Sequence, residues 1–134
     1  MSGHILGAIG SQSKISFNSD YFMERDCWID CRTPNMIEID PSANIGWCVT
    51  MVVQTHNIDP GMFGQVNFRP IKIGPKVFIA GFATLYNCEI GEGAVVAVGS
   101  VVRSQKLEAW TVYAGNPAVP VKRYNFQSKK WEKV

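Results

Sequence analysis

Residues 71–102 read IKIGPKVFIAGFATLYNCEIGEGAVVAVGSVV. Aliphatic residues stand six apart at Ile73, Ile79 and Leu85, and again at Ile90, Val96 and Val102. Upstream the same beat runs through Ile39, Ile45 and Met51, so that clear hexads occupy 39–56 and 73–102. The residue after the aliphatic is often small or acidic: Asp40, Gly46, Gly74, Ala80, Gly91, Ala97. Four places after the aliphatic comes a small or β-branched residue: Ala43, Val49, Val77, Ala83, Ala94, Ser100. A period of six fits neither a long helix, which repeats near 3.6, nor a long two-faced strand, which repeats at 2. It fits very short strands joined by tight corners, with the aliphatic turned inward and three hexads making a coil of roughly eighteen residues. Such coils stack, each burying its inner face against its neighbours. Between Ile79 and Ile90 the ladder is one residue short of two hexads, which predicts a tighter corner near Tyr86-Asn87-Cys88.

With 134 residues the chain has room for one domain, expected to span 1–134. Its composition, 46% hydrophobic and 18% charged, is that of a globular protein rather than a disordered one. A formal charge of +2 argues for neither a nucleic-acid nor a membrane-surface partner. No apolar run reaches the length of a membrane span. The opening Met-Ser-Gly-His-Ile-Leu-Gly lacks the basic start and long apolar stretch of a signal peptide, so a cytoplasmic location is expected. There Cys27, Cys31, Cys48 and Cys88 would stay reduced. Their spacing matches no zinc motif, so no metal is expected and they read as small packed thiols. Lys129, Lys130 and Lys133 surround Trp131 in what reads as a solvated C-terminal tail over 118–134.

Three further stretches carry chemistry. Thr55-His56-Asn57-Ile58-Asp59-Pro60 resembles the catalytic-histidine segment of hexapeptide-repeat acyltransferases, close to T-H-x-x-D-P. The run from Ile71 to Gly81 resembles their K-I-G-D-N-V-W-I-G segment, with Phe78 in place of the usual tryptophan. Tyr113-Ala114-Gly115-Asn116-Pro117-Ala118-Val119-Pro120-Val121-Lys122-Arg123 resembles their closing A-G-N-P-A-x-x-I-K-x. Cys27-Trp28-Ile29-Asp30 is similar to a W-I-D segment of the capsule-type members, whereas Arg103-Ser104 departs from a common Thr-Lys. The likeness is to the galactoside, maltose and capsule-polysaccharide sugar O-acetyltransferases. It implies an all-β, left-handed parallel β-helix shaped as a triangular prism. It also implies acetyl-CoA as co-substrate and a homotrimer with its site between neighbouring subunits.

His56 is one of only two histidines and falls where the ladder stops. Residues 57–70, with Pro60, Gly61 and Gly64, read as a loop projecting from a corner. A hydroxyl is a poor nucleophile at neutral pH, and an imidazole titrates near enough to working pH to take its proton. The resemblance makes His56 that base and the backbone N–H of Gly81 the donor to the oxyanion. It lays the cofactor's pantetheine arm along Gly81, Ala97, Val98 and Gly99, beside a turn at Asn116-Pro117. Arg103, Lys122 and Arg123 are candidates for its phosphates, or are there for solubility. Asp30 or Asp26 would bind acceptor hydroxyls, or cap their own turns. Asp59 would orient His56, or shape the loop. Trp47 and Phe63 would stack on a sugar ring, or pack.

A carbonic anhydrase of the same fold would need three histidines, and only His4 and His56 are present. The remaining readings are transfer to the hydroxyl of a small sugar-like acceptor, transfer to the amine of an amino-sugar nucleotide or antibiotic, and a non-catalytic β-helix scaffold subunit.

Overall fold

The computed structural model describes residues 36–134 and four strands upstream of them, Ile5–Leu6 (β1), Lys14–Ile15 (β2), Phe22–Met23 (β3) and Cys27–Asp30 (β4). Next come Ile37–Ile39 (β5), Asn44–Ile45 (β6) and Thr50–Val52 (β7), then the pair Gln54–His56 (β8) and Val66–Phe68 (β9). Ile71–Ile73 (β10), Phe78–Ile79 (β11), Thr84–Ile90 (β12), Val95–Val96 (β13) and Val101–Leu107 (β14) follow. Thr111–Gly115 (β15), Ala118–Asn125 (β16) and Lys130–Lys133 (β17) end the chain. Among the described residues the helical content is one 3-10 turn, Pro60–Met62.

These strands stack in parallel, coil upon coil. One column joins β6, β11, β13 and β15. A second joins β7 to the first half of β12 and of β14, and a third joins β5 and β10 to their second halves. Ile73 pairs with Ile90, and Ile90 with Leu107, a step of seventeen residues each time. The coil is therefore seventeen residues long rather than eighteen.

The missing residue is lost at one corner of three. Left-handed backbone recurs at Lys76, Gly93 and Trp110 on the first corner, and at Cys48, Phe82 and Gly99 on the second. On the third, Asn87 or Ser104 turns the chain alone, inside an unbroken β12 or β14. Both sit at positive φ, a region that asparagine tolerates well, and Asn87 Nδ2 donates to Ser104 Oγ at 3.1 Å. The short step near Tyr86-Asn87-Cys88 thus recurs one coil later at Arg103-Ser104-Gln105.

The nine ladder aliphatics are all buried, none more than 3% exposed. The small residues four places on also point inward: Ala43, Val49, Val77, Ala83 and Ala94 are fully buried and Ser100 nearly so. They fill the corners of the cross-section, which have no room for a second large side chain. Stacked strands lie only ~4.8 Å apart, so corner glycines face the next coil closely. A Cβ on Gly46 would lie 2.7 Å from the Gly81 nitrogen, and one on Gly91 2.8 Å from the Ala109 nitrogen. Outside, Glu38, Lys72, Glu89 and Lys106 fall opposite one another on successive strands, alternating in sign. Opposite charges directly across strands favour this register over its neighbours. Cys27 and Cys88 are buried thiols as expected, Cys48 is half-buried, and Cys31 lies outside the described residues.

Two expectations need correcting. The break in the ladder is an antiparallel hairpin that opens at Gln54, not a loop beginning at 57: Gln54 pairs with Phe68, Thr55 with Asn67 and His56 with Val66. Its position is defined by register. Val52 aligns with Tyr86 and Arg103, and Ile71 with Cys88 and Gln105. Residues 53–70 therefore occupy the corner that Asn87 or Ser104 fills alone in later coils. The second correction concerns 118–134, which is not a tail but two strands. β16 turns back antiparallel on β15 and β17 on β16, with Tyr124 packed edge-on against Phe126 and Trp131. Trp110 joins the group through Phe126 at 5.6 Å.

Candidate active site

His56 ends β8, exposed, one residue beyond Thr55 on the hairpin. Successive side chains of a strand face opposite ways, so Thr55 and His56 lie on opposite faces of β8. Thr55 does face the coils: its Oγ1 lies 3.3 Å from Tyr86 Oη. Beyond His56 the chain is held by its own turns. The backbone N–H of Asp59 donates to Asn57 Oδ1 at 2.8 Å, and Asn57 and Gln65 close the hairpin end at 2.7 Å. Among the described residues no hydrogen bond or ion pair joins Asp59 to His56, and Asp59 marks the start of the 3-10 turn. Ile58, Met62, Phe63 and Val66 are exposed around them.

Gly81 stands on a different corner. It precedes Phe82, the left-handed residue of the second corner, whereas the hairpin leaves from the third. About five residues of extended chain, roughly 16 Å at ~3.3 Å each, separate the two corners. Gly81 shares its corner with Ala97, Val98 and Gly99 one coil on, and with Gly115-Asn116-Pro117 one coil further. Gly99 N donates to Gly81 O at 3.0 Å, and Gly115 N to Ser100 Oγ at 3.2 Å. Among the described residues, the backbone N–H groups of Trp47, Gly81 and Val98 donate to no acceptor within the chain. A Cβ on Gly99 would meet nothing within 4 Å. The second corner is thus an open ledge of backbone donors spaced one coil apart, which suits a ligand carrying amide and carbonyl groups.

The basic candidates divide. Arg103 lies at the third corner, directly above Tyr86, and with Ser104, Gln105 and Pro117 it lines a cleft of about 380 Å³. Lys122 and Arg123 pair with Val112 and Thr111, at the end of β15 away from Asn116. Arg123 is also engaged by Glu108 at 2.8 Å. Trp47 and Phe63, 55% and 78% exposed, are not packed, and Phe78 too lies on the outer surface. Asp30 ends β4 opposite Val52, and Asp26 lies outside the described residues. Asp40 caps its corner: the Ser42 N–H and hydroxyl both donate to Oδ1, holding its carboxyl below the usual range. Among the described residues no three His, Cys, Asp or Glu side chains gather as a metal site, and no helix is long and apolar enough to cross a membrane.

Sequence reasoning missed Tyr86, which lies 31 residues from Thr55 along the chain. The strand register is the signal that finds it, since Tyr86 pairs with Val52, the residue from which the hairpin departs.

No family model matches the chain. Over 79 residues it is 41% identical to an Escherichia coli K12 protein named as a candidate O-acetyl transferase of lipopolysaccharide biosynthesis, covering 58% of this chain and 39% of that protein. The match thus spans well under half of the relative's length. A hexapeptide-repeat acetyltransferase from Vibrio cholerae, solved with acetyl coenzyme A, shares the fold with a TM-score of 0.79 and 22% identity, over 92% of this chain and 70% of that one. The chain shares the fold of hexapeptide-repeat acetyltransferases. A maltose O-acetyltransferase from Clostridium difficile is similar at a TM-score of 0.62 and 25% identity, over 90% of this chain and 67% of its own.

Proposed function

We propose that the protein is an acetyl-CoA-dependent O-acetyltransferase of the cytoplasm, acting on a sugar or saccharide hydroxyl with His56 as general base. The coils wind left-handed into a triangular prism, and three prisms form the enzyme. The observation that carries this reading is the separation of His56 and Gly81 onto different corners of one chain. A neighbouring copy, presenting its second corner to this chain's hairpin, would bring the two together. The exposed Ile58, Met62, Phe63 and Val66 supply apolar surface for that contact.

The donor ledge fits the cofactor, whose pantetheine arm carries amides for the free N–H groups of the corner. Gly99 leaves space for it, and Arg103 is the candidate nearest the hairpin corner for phosphate oxygens. His56 takes the acceptor proton as the hydroxyl oxygen bonds to the thioester carbonyl carbon. The oxyanion so formed accepts from Gly81 N–H, a type of contact typically worth about 10²–10³-fold in rate. The C–S bond then breaks, and the imidazolium returns its proton to the departing sulfur.

Acetyl-CoA binding by calorimetry and thiol release with a panel of sugars test the proposal. His56→Ala should lower turnover by about 10²–10⁴-fold while leaving the fold intact. Absence of acetyl-CoA binding would reject the enzyme, as expected of a scaffold subunit. Turnover that survives in His56→Ala would reject the base, and turnover only with amino sugars would reject the hydroxyl acceptor.

A further inference from the structure

We infer that Tyr86 is a positioning residue that fixes the hairpin bearing His56, through its hydroxyl contact with Thr55. The inference rests on the acetyltransferase reading above. Residues 54–69 are joined to the coils by few bonds. At the neck Arg69 N donates to Val53 O at 2.9 Å. Beyond it, the Thr55–Tyr86 contact is the only hydrogen bond from the hairpin to the coils among the described residues. Nor is an apolar side chain fully buried between residues 54 and 69: Ile58, Met62, Phe63, Val66 and Phe68 are all exposed. Its orientation is thus set by a two-strand neck and one hydroxyl pair, both partly buried.

The placement of that pair fits the task. Tyr86 follows Leu85, whose side chain faces the core, so its own ring points outward at the last position before the corner. It pairs with Val52, the residue from which the chain departs. From there it reaches the one residue of β8 that neighbours His56 and faces the coils. It therefore grips the strand on the face away from the imidazole and does not touch the base. A base must meet its proton within hydrogen-bond reach, and a displacement of about 1 Å can cost on the order of 10²-fold.

The test compares Tyr86→Phe, Thr55→Val, the double variant and Thr55→Ser. Both single hydroxyl losses should lower kcat about 10-fold with KM for acetyl-CoA changed less than about twofold, and the double should fall no further. Thr55→Ser keeps the hydroxyl and should keep most of the rate. Amide hydrogen exchange gives a readout independent of turnover: in Tyr86→Phe, exchange at Thr55–Asn57 and Val66–Phe68 should quicken about 10-fold, with the coil strands unchanged. Unchanged hairpin exchange in Tyr86→Phe overturns the inference. So does wild-type kcat in that variant, or additive losses in the double. Faster exchange in a protein that never transfers acetyl groups would reject the proposed function and leave the hairpin contact standing.

Discussion

Because residues 53–70 stand where one residue suffices in later coils, the hairpin should be removable. Replacing 53–70 with a single asparagine joins Val52 to Ile71 as Asn87 joins Tyr86 to Cys88. The opposing energies can be estimated. Closing eighteen residues rather than one costs about (3/2)RT ln 18, or about 2.6 kcal/mol, which the shortened chain recovers. Against this it loses the fully buried Val53 side chain, about 1.5–3 kcal/mol, and the Arg69–Val53 bond, about 1 kcal/mol. The terms nearly cancel, so stability should change by less than about 2 kcal/mol, or under ~10 °C in Tm. Circular dichroism and urea unfolding measure this. The shortened chain should keep its β spectrum and a single cooperative transition, with acetyl transfer abolished. Loss of cooperative folding would show that the hairpin is part of the coil and refute the seventeen-residue register.

Leu85 is fully buried between Met51 and Val102 in its column, so Leu85→Ala should cost about 3–5 kcal/mol in urea unfolding. A Cβ on Gly93 would sit 2.3 Å from the Trp110 ring at a φ of +67°; Gly93→Ala should cost about 2–4 kcal/mol by the same measurement, combining overpacking with left-handed strain. Burial pushes the Cys88 thiol from its ordinary 9.0 up to about 12. The unfolded chain releases that proton first as pH rises, so the thiol's contribution to stability is intact below 9.0 and is lost between 9.0 and about 12. Above pH 9 the wild type should therefore lose up to about 1.4 kcal/mol per pH unit more than Cys88→Ala does.

The inward ladder was legible because each coil repeats a local demand, one aliphatic and one small residue per face. The coil length was misread because the third corner turns on a conformation, positive φ at Asn87 and Ser104, rather than on a residue type that spells a turn. With that slip unaccounted for, the beat faded after Val102, although Leu107 and Tyr113 continue the buried columns. β16 and β17 escaped notice because they are antiparallel and largely exposed, so no hexad marks them. That reversal carries Lys122 and Arg123 away from Asn116, a displacement invisible to spacing alone. The histidine segment was legible as a motif, but its division from Gly81 across two corners emerges only from the register.

The central claim is that two chains make one site, and subunit mixing tests it most directly. His56→Ala removes the base. Gly99→Phe blocks the ledge, and its backbone should be tolerated because Phe82 already holds the same left-handed position one coil below. Each variant alone should be nearly inactive. Dissociated together and reassembled, they should regain about a quarter of wild-type thiol release, since a quarter of random pairings join an intact His56 corner to an intact Gly99 corner. A mixture as inactive as its parents would place both corners in a single chain's site and contradict the account.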